Sequence, residues 1–451
     1  MSGSIRWSRL AAVAAAALTL TITAACGDSG GVGGDKAADQ KSAKAGETVT
    51  LNYWTWFPAE ATLKTAIAGF EAENPNIKIQ LRSFEAADYQ KQLPLALNGA
   101  EKLDVVGVQI DAMTNSVREK LHPVADWESH LPAGWRDKLN KTMVDQAAAA
   151  AKDGKLYDIP MGSIGSAVMY TNNKILSELG LSTPKTVADL KTVVDKVKAN
   201  KKGVTPVVFS GEGYWQEEML FSFAGQTDPT LSVDLQSGKR AWNDPAVVKA
   251  LTTYKSLFDQ GLFDKSVLSL KGTRPNELFA SGKAAIYFDG SWSSSMLSDS
   301  ARKAGKIPLT DVGGGAIPVV DPAGKPAARA FAEGGLGIPL SSEHMAEAGK
   351  FIQYMTLGNG VTSWSKDLVL VPSLNGFQLD SSVLTTDAAK QGYADITAVV
   401  GAAGSGRNSN QAFLNQVEGN VILDVLRGQL DPQKAADRLN KEWTSGRYTT
   451  K

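Results

Sequence analysis

From Thr48 onward the spacing of apolar positions changes in a regular order. TVTLNYWTW (residues 48–56) has the β-branched and aromatic content of a strand. In Ala59 to Asn74, Leu63, Ile67 and Phe70 recur at three- and four-residue steps and define one helical face, which Pro75 closes. Ile77 to Arg82 returns to strand, Asp88 to Asn98 to helix, and Leu103 to Gln109 to a buried strand. Strand, helix, strand, helix, strand predicts a parallel α/β sheet with right-handed crossovers.

Further helices are predicted over Asp111 to Lys120 and Leu139 to Ala151. Lys155 to Gly162 then reads as an extended crossing into a second α/β unit that starts with the run Ala167 to Asn172. That unit holds helices at Thr186 to Ala199, Gln216 to Phe223, Pro245 to Gln260 and Arg274 to Ser281. Its strands are Val204 to Ser210 and Ala284 to Asp289. Gly313 to Pro339, rich in Gly and Pro, is predicted to cross back, with strands at Gly315 to Val320 and Gly334 to Ile338. Ser342 to Met355 is a helix and Val369 to Ser373 a third crossing. The remainder is helical, most clearly in Gln411 to Arg427 and Pro432 to Glu442.

One stretch is crowded beyond what a strand can absorb. Leu51 to Glu60 sets Tyr53, Trp54, Trp56 and Phe57 at the exit of the first strand. Successive side chains point to opposite faces, so at least one ring should be exposed to a crevice or a neighbouring lobe. Core packing accounts for any single ring; the cluster as a whole reads as a ligand platform.

The N-terminus is of a different kind. Met1 to Arg9 is short and positive, Leu10 to Ile22 is an apolar run rich in Ala and Leu, and small residues follow up to Cys26. The apolar run is too short to span a hydrocarbon core about 30 Å thick, so residues 1–25 read as a secretory signal peptide. Ala24-Ala25-Cys26 resembles a bacterial lipobox, with Thr23 where Leu is usual. The resemblance implies that Cys26 is lipidated and that residues 26–47, mostly Gly, Ser, Lys and Asp, are a flexible tether. Cys26 is the only cysteine, which leaves no intrachain disulfide and no Cys-based metal site.

Basic and acidic residues number 47 each, so there is no net basic field to gather nucleic acid or an anionic bilayer. No GxxxxGK[ST] run is present to bind nucleotide. His122, His130 and His344 sit in no HExxH or Ser/His/Asp arrangement. These features imply no cofactor and no catalytic histidine.

The order of signals resembles the extracellular solute-binding proteins of ABC importers, in the carbohydrate-binding family that includes maltose-binding protein. The resemblance is carried by TVTLNYWTW, FEAENPNIKI, DVVGVQ, LYDIPMG before VMYTNNKILSELGLSTPKTVADL, ELFASGKAAIYFDGSW, and GGLGIP with AEAGKFIQYMT. It implies an α/β fold of two lobes joined by hinge segments and closing on a ligand. Lobe one would be residues 48–157 and 328–370, and lobe two 158–327 and 371–451. The implied protein is an exported, lipid-anchored monomer on the outer face of the cytoplasmic membrane. It would hand a di- or oligosaccharide to the transmembrane subunits of an ABC permease.

A pyranose needs flat aromatic faces and inward polar groups, because a buried hydroxyl without a partner costs on the order of 1–3 kcal/mol. Trp56, Trp54, Trp215 and Trp292 are the candidate platforms, with Trp364 divided between packing and binding. Trp292 aligns with a family position that stacks on sugar. Glu85, Gln109 and Asp111 follow strands and are candidate hydroxyl partners, although an acid at Asp111 also suits a helix N-terminus. Asp289 could bind a hydroxyl or shape its turn with Gly290. The family resemblance places Glu333 near ligand, and Arg407 stands on a loop that reaches either ligand or solvent. Two other classes remain open: a glycoside hydrolase using cleft carboxylates such as Glu85, Asp111, Glu212 and Asp289, and a sugar-binding adhesin without a closing cleft.

Overall fold

The structure, a computed structural model, describes residues 48–111, 113–402, 404, 406 and 411–448. The stretches expected to be signal peptide and tether, with Cys26, and also Arg407, lie outside the described residues.

Two sheets organise the chain. The first has six strands in the order β10-β4-β9-β3-β1-β2. Its members are β1 (Val49–Thr55), β2 (Ile77–Ser83), β3 (Val105–Gln109), β4 (Ile159–Ser166), β9 (Arg329–Gly337) and β10 (Val371–Pro372). The second has four, β6-β7-β5-β8, built from β5 (Val168–Asn172), β6 (Thr205–Val208), β7 (Ala284–Asp289) and β8 (Val312–Ala316). As the sequence pattern predicts, β1 pairs in parallel with both β2 and β3. Leu63, Ile67 and Phe70 of the intervening helix Glu60–Glu73 are buried in the lobe-one core.

β4 and β9 join the lobes. They run antiparallel from Ile159↔Leu336 to Ser166↔Arg329, and only Ala167, in a left-handed conformation at φ 59, separates β4 from β5 of the second sheet. The expected boundary at residue 157/158 falls just before β4, and Ile159–Ser166 is paired within the first sheet. The strand expected at Gly334 to Ile338 begins five residues earlier, at Arg329. The piece expected at Gly315 to Val320 is instead Val312–Ala316, and the helix expected over Asp111 to Lys120 shrinks to Thr114–Val117 followed by a 3-10 turn.

Arg329 explains the early start of β9. A charged residue is a poor strand signal, but here the guanidinium is 1% exposed and bonded to Glu217, with Glu218 at 3.2 Å. Burial works against its charge, and the carboxylates of Glu217, Glu218 and Glu418 outweigh that and hold its pKa above the ordinary value. Burial pushes Glu418, in a π-helical turn, up to about 8. The Arg329 N–H donates to Ser222 Oγ at 3.0 Å, and Ser222 Oγ donates to the Ser166 carbonyl at 3.2 Å. The helix Gly213–Gly225 is thereby bonded to both crossing strands where they enter lobe two.

Among the described residues no helix is long and apolar enough to cross a membrane, and no group of three or more His, Cys, Asp or Glu could hold a metal ion.

Candidate functional site

Strand direction brings the candidate residues to facing edges. β9 enters the first sheet from lobe two and runs antiparallel to β3, with Gln109↔Gly334 and Val106↔Gly337. The C-terminal ends of β3, and of β1 and β2 beside it, therefore point toward lobe two. β5 starts where β4 ends, and Val168 pairs with Asp289 at the end of antiparallel β7. β6 is parallel to β7, so both β6 and β7 end facing lobe one. Crevices beyond the carboxyl ends of strands are where open α/β sheets bind ligands.

On the lobe-one edge, Trp56 follows β1 and is half-buried. Its ring lies 5.1 Å from Tyr89, tilted 31°. Tyr89 Oη donates to the Gly107 carbonyl at 2.7 Å and lies 3.0 Å from the Trp54 carbonyl. A polar row runs alongside: Gln90 Nε2 donates to Gln109 Oε1 at 2.6 Å, and Gln109 Nε2 donates to Glu333 Oε1 at 2.9 Å. Gln109 and Glu333 are both buried, so each depends on these partners. Asp111, at φ 70, lines a cavity of about 390 Å³ with Gln146, Phe331 and, from lobe two, Val233. Glu85 is exposed at the end of β2. It precedes the helix Ala86–Asn98 without making a side-chain capping bond.

On the lobe-two edge, Trp292 is 37% exposed, one of the few large apolar side chains so open. It belongs to the turn Ser291–Leu297, and Ser291 Oγ accepts from the Gly165 N–H at 3.1 Å, tying the turn to the crossing strand β4. Asp289 is half-buried; burial raises its pKa, and hydrogen bonds from Ser293 and Tyr287 work the other way. Tyr214, 46% exposed, follows Glu212 at the start of the helix Gly213–Gly225. Its phenol is pushed up to about 12, by burial first and Glu212 second.

Three of the candidate tryptophans are buried: Trp364 and Trp54 take the packing alternative, and Trp215 lies behind Trp292. Trp364 is 1% exposed in the lobe-one core and donates Nε1–H to the Met355 carbonyl at 2.8 Å, so no face is left for a ligand. Trp54 is buried, with the Arg82 guanidinium 4.4 Å from its ring centroid and Phe84 at 4.9 Å. Trp215 reaches the expected edge but is only 1% exposed and meets Trp292 edge-on, at 6.1 Å and 75°. It backs Trp292 rather than presenting its own face. The open ring of that pair of neighbours is Tyr214, which the sequence reading passed over. Helical phase does not separate the two, since Glu217 and Phe221, on the Tyr214 face, are buried like Met219 and Phe223 on the Trp215 face; Tyr214 is open because it lies in the first turn of the helix.

The arrangement is thus two edges, a half-buried Trp56 beside carboxylate and carboxamide groups on one and the exposed rings of Trp292 and Tyr214 beside Asp289 on the other, carried on lobes that share two crossing strands. Similar proteins have been described. A multiple sugar-binding protein of Streptococcus mutans is 25% identical over 368 residues, covering 77% of this chain and 78% of that protein. An uncharacterised ABC transporter extracellular-binding protein of Pyrococcus horikoshii is 24% identical over 304 residues, 64% of this chain and 68% of that one. Among solved structures, a chitin oligosaccharide binding protein superposes with a TM-score of 0.66 at 22% identity, covering 89% of this chain and 99% of its own. A maltose-bound protein of T. maritima gives 0.65 at 17%, covering 88% and 100%. These likenesses show the two-lobed binding-protein fold. The profile of the family described as bacterial extracellular solute-binding protein matches residues 54–357, and the chain belongs to that family.

Proposed function

We propose that this solute-binding protein captures a di- or oligosaccharide between its lobes and delivers it to the permease of an ABC importer. The observation that carries the reading is a pair of rings, half-buried Trp56 on the lobe-one edge and exposed Trp292 on the lobe-two edge. Each stands at strand ends that face the other lobe. Trp faces suit the C–H face of a pyranose, and Glu85, Glu333, Asp111 and Asp289 supply acceptors for its hydroxyls. Gln109 orients Glu333, and Tyr214 adds a second ring beside Trp292. Relatives that bind multiple sugars or chitin oligosaccharides support the class of ligand.

In this reading Trp54 and Trp215 support the two platforms, Arg407 is a further candidate contact to the ligand, and Cys26 carries the lipid that holds a monomer at the outer face of the cytoplasmic membrane. The permease is the only protein partner, no cofactor takes part, and no bond is broken. A ligand that touches both edges only when they approach shifts the population toward the closed form by its differential affinity. Calorimetry with xylo-, cello-, malto- and chito-oligosaccharides tests the proposal. Saturable binding of one series without turnover is expected; hydrolysis of the sugar would replace the reading with a glycosidase, and no binding of any series would overturn it.

A further inference from the structure

Two glycines from different strands lie under Trp56. A methyl group at Gly107, on β3, would stand 3.1 Å from Cζ3 of the Trp56 ring. One at Gly334, on β9, would stand 3.1 Å from Cη2 and 3.4 Å from Cζ2. These three atoms belong to the six-membered half of the indole, so that half rests on bare backbone at two points. Tyr89 packs beside the ring, and its hydroxyl is bonded to the carbonyl of Gly107. Real Cβ contacts are seldom this short, so any side chain at either position would push the indole outward.

The next residue behaves in the same way. A Cβ at Gly335 would fall 1.9 Å from Asp158 Oδ1, so consecutive glycines of β9 each make room for a side chain of another segment. Neither Gly107 nor Gly334 has a positive φ. Backbone conformation therefore does not call for glycine at these sites; the close approach of a ring does.

We propose that Gly107 and Gly334 are positioning residues that seat Trp56 against the sheet edge and so set the depth at which its open face meets a sugar. Gln109, paired with Gly334 across the two strands, holds Glu333 beside that seat. One strand register thus fixes the ring and the carboxylate together. The proposal rests on the sugar-binding reading for its consequence, though not for its geometry.

Gly334→Ala is the cleaner test, since a methyl at Gly107 would also stand 2.6 Å from Thr55 Oγ1. The Trp56 indole N–H signal is assigned in a ¹H–¹⁵N spectrum of the whole mature protein by its loss in Trp56→Phe. Gly334→Ala should move that signal while the indole signals of Trp127, Trp242 and Trp364 stay in place. Affinity is then measured for whichever of xylotriose, cellotriose, maltotriose and chitotriose binds the parent most tightly. It should fall about tenfold in Gly334→Ala, as expected when overpacking displaces a contact, and should fall no further when Gly334→Ala is added to Trp56→Ala. An unmoved Trp56 signal, or an equal loss from Gly334→Ala in the Trp56→Ala background, would overturn the assignment. If the parent binds none of the four trioses, the spectrum still decides the seating while the proposed function fails.

Discussion

Asp158→Asn should stabilise the protein at neutral pH in a way that disappears in acid. Asp158 precedes β4, is 0% exposed, and neither carboxyl oxygen has a hydrogen-bond partner among the described residues. Burial raises its pKa from 3.8 to about 8. The folded protein therefore keeps the proton that the unfolded chain releases above pH 3.8. The stability associated with the neutral acid is fully present below that value and is lost as pH rises toward 8, beyond which the loss levels off. At pH 7 the loss is roughly 4 kcal/mol, taking 1.36 kcal/mol per pKa unit.

Asparagine has no charge to suppress, but its carboxamide would be equally short of partners, a pH-independent cost of about 1–3 kcal/mol. The informative quantity is thus the slope of the difference rather than its level. Urea denaturation followed by tryptophan fluorescence, from pH 4.5 to 9, should show the variant gaining on the parent by about 1.4 kcal/mol per pH unit between pH 5 and 7, then flattening past pH 8. Parallel profiles for the two proteins would refute the reasoning, because they would mean that Asp158 titrates alike folded and unfolded.

Trp292→Ala should weaken oligosaccharide binding by about 10- to 100-fold in calorimetry, the loss of one stacking surface, with little change in melting temperature because the ring is already partly exposed. Trp364→Ala should do the reverse, costing about 3–5 kcal/mol of unfolding free energy by denaturation while leaving the affinity of the variant that remains folded unchanged. Arg329→Met should destabilise by about 3–5 kcal/mol at pH 7, since it leaves Glu217, Glu218 and Glu418 without their buried cation. An unfolding free energy equal to the parent's in urea denaturation at pH 7 would rule out the ionic account.

The parts of the fold that were legible in the sequence are those where local pattern and burial agree. β1, β2 and β3 with their two helices follow from period alone, and the end of each strand could be placed well enough to put Trp56, Glu85 and Gln109 on one edge. Tertiary partners decided the rest. β9 starts at Arg329 because Glu217, 112 residues away, neutralises it in the interior. No local signal announces such a pair. Ring exposure is similarly non-local: Trp292 and Trp364 both stand among Ser residues, yet one is open and the other donates to a core carbonyl. Tyr214 is no exception: the helix Gly213–Gly225 is buried nearly all round, so its pattern does not mark the one ring that stays open.

In the proposed function, two lobes sharing β4 and β9 close on an oligosaccharide held between Trp56 and Trp292. Small-angle X-ray scattering of the mature protein, with and without a saturating sugar identified by calorimetry, addresses it most directly. The radius of gyration should fall with sugar, and the contraction should be lost in Trp292→Ala at the same sugar concentration. A bound sugar that leaves the radius of gyration unchanged would contradict it.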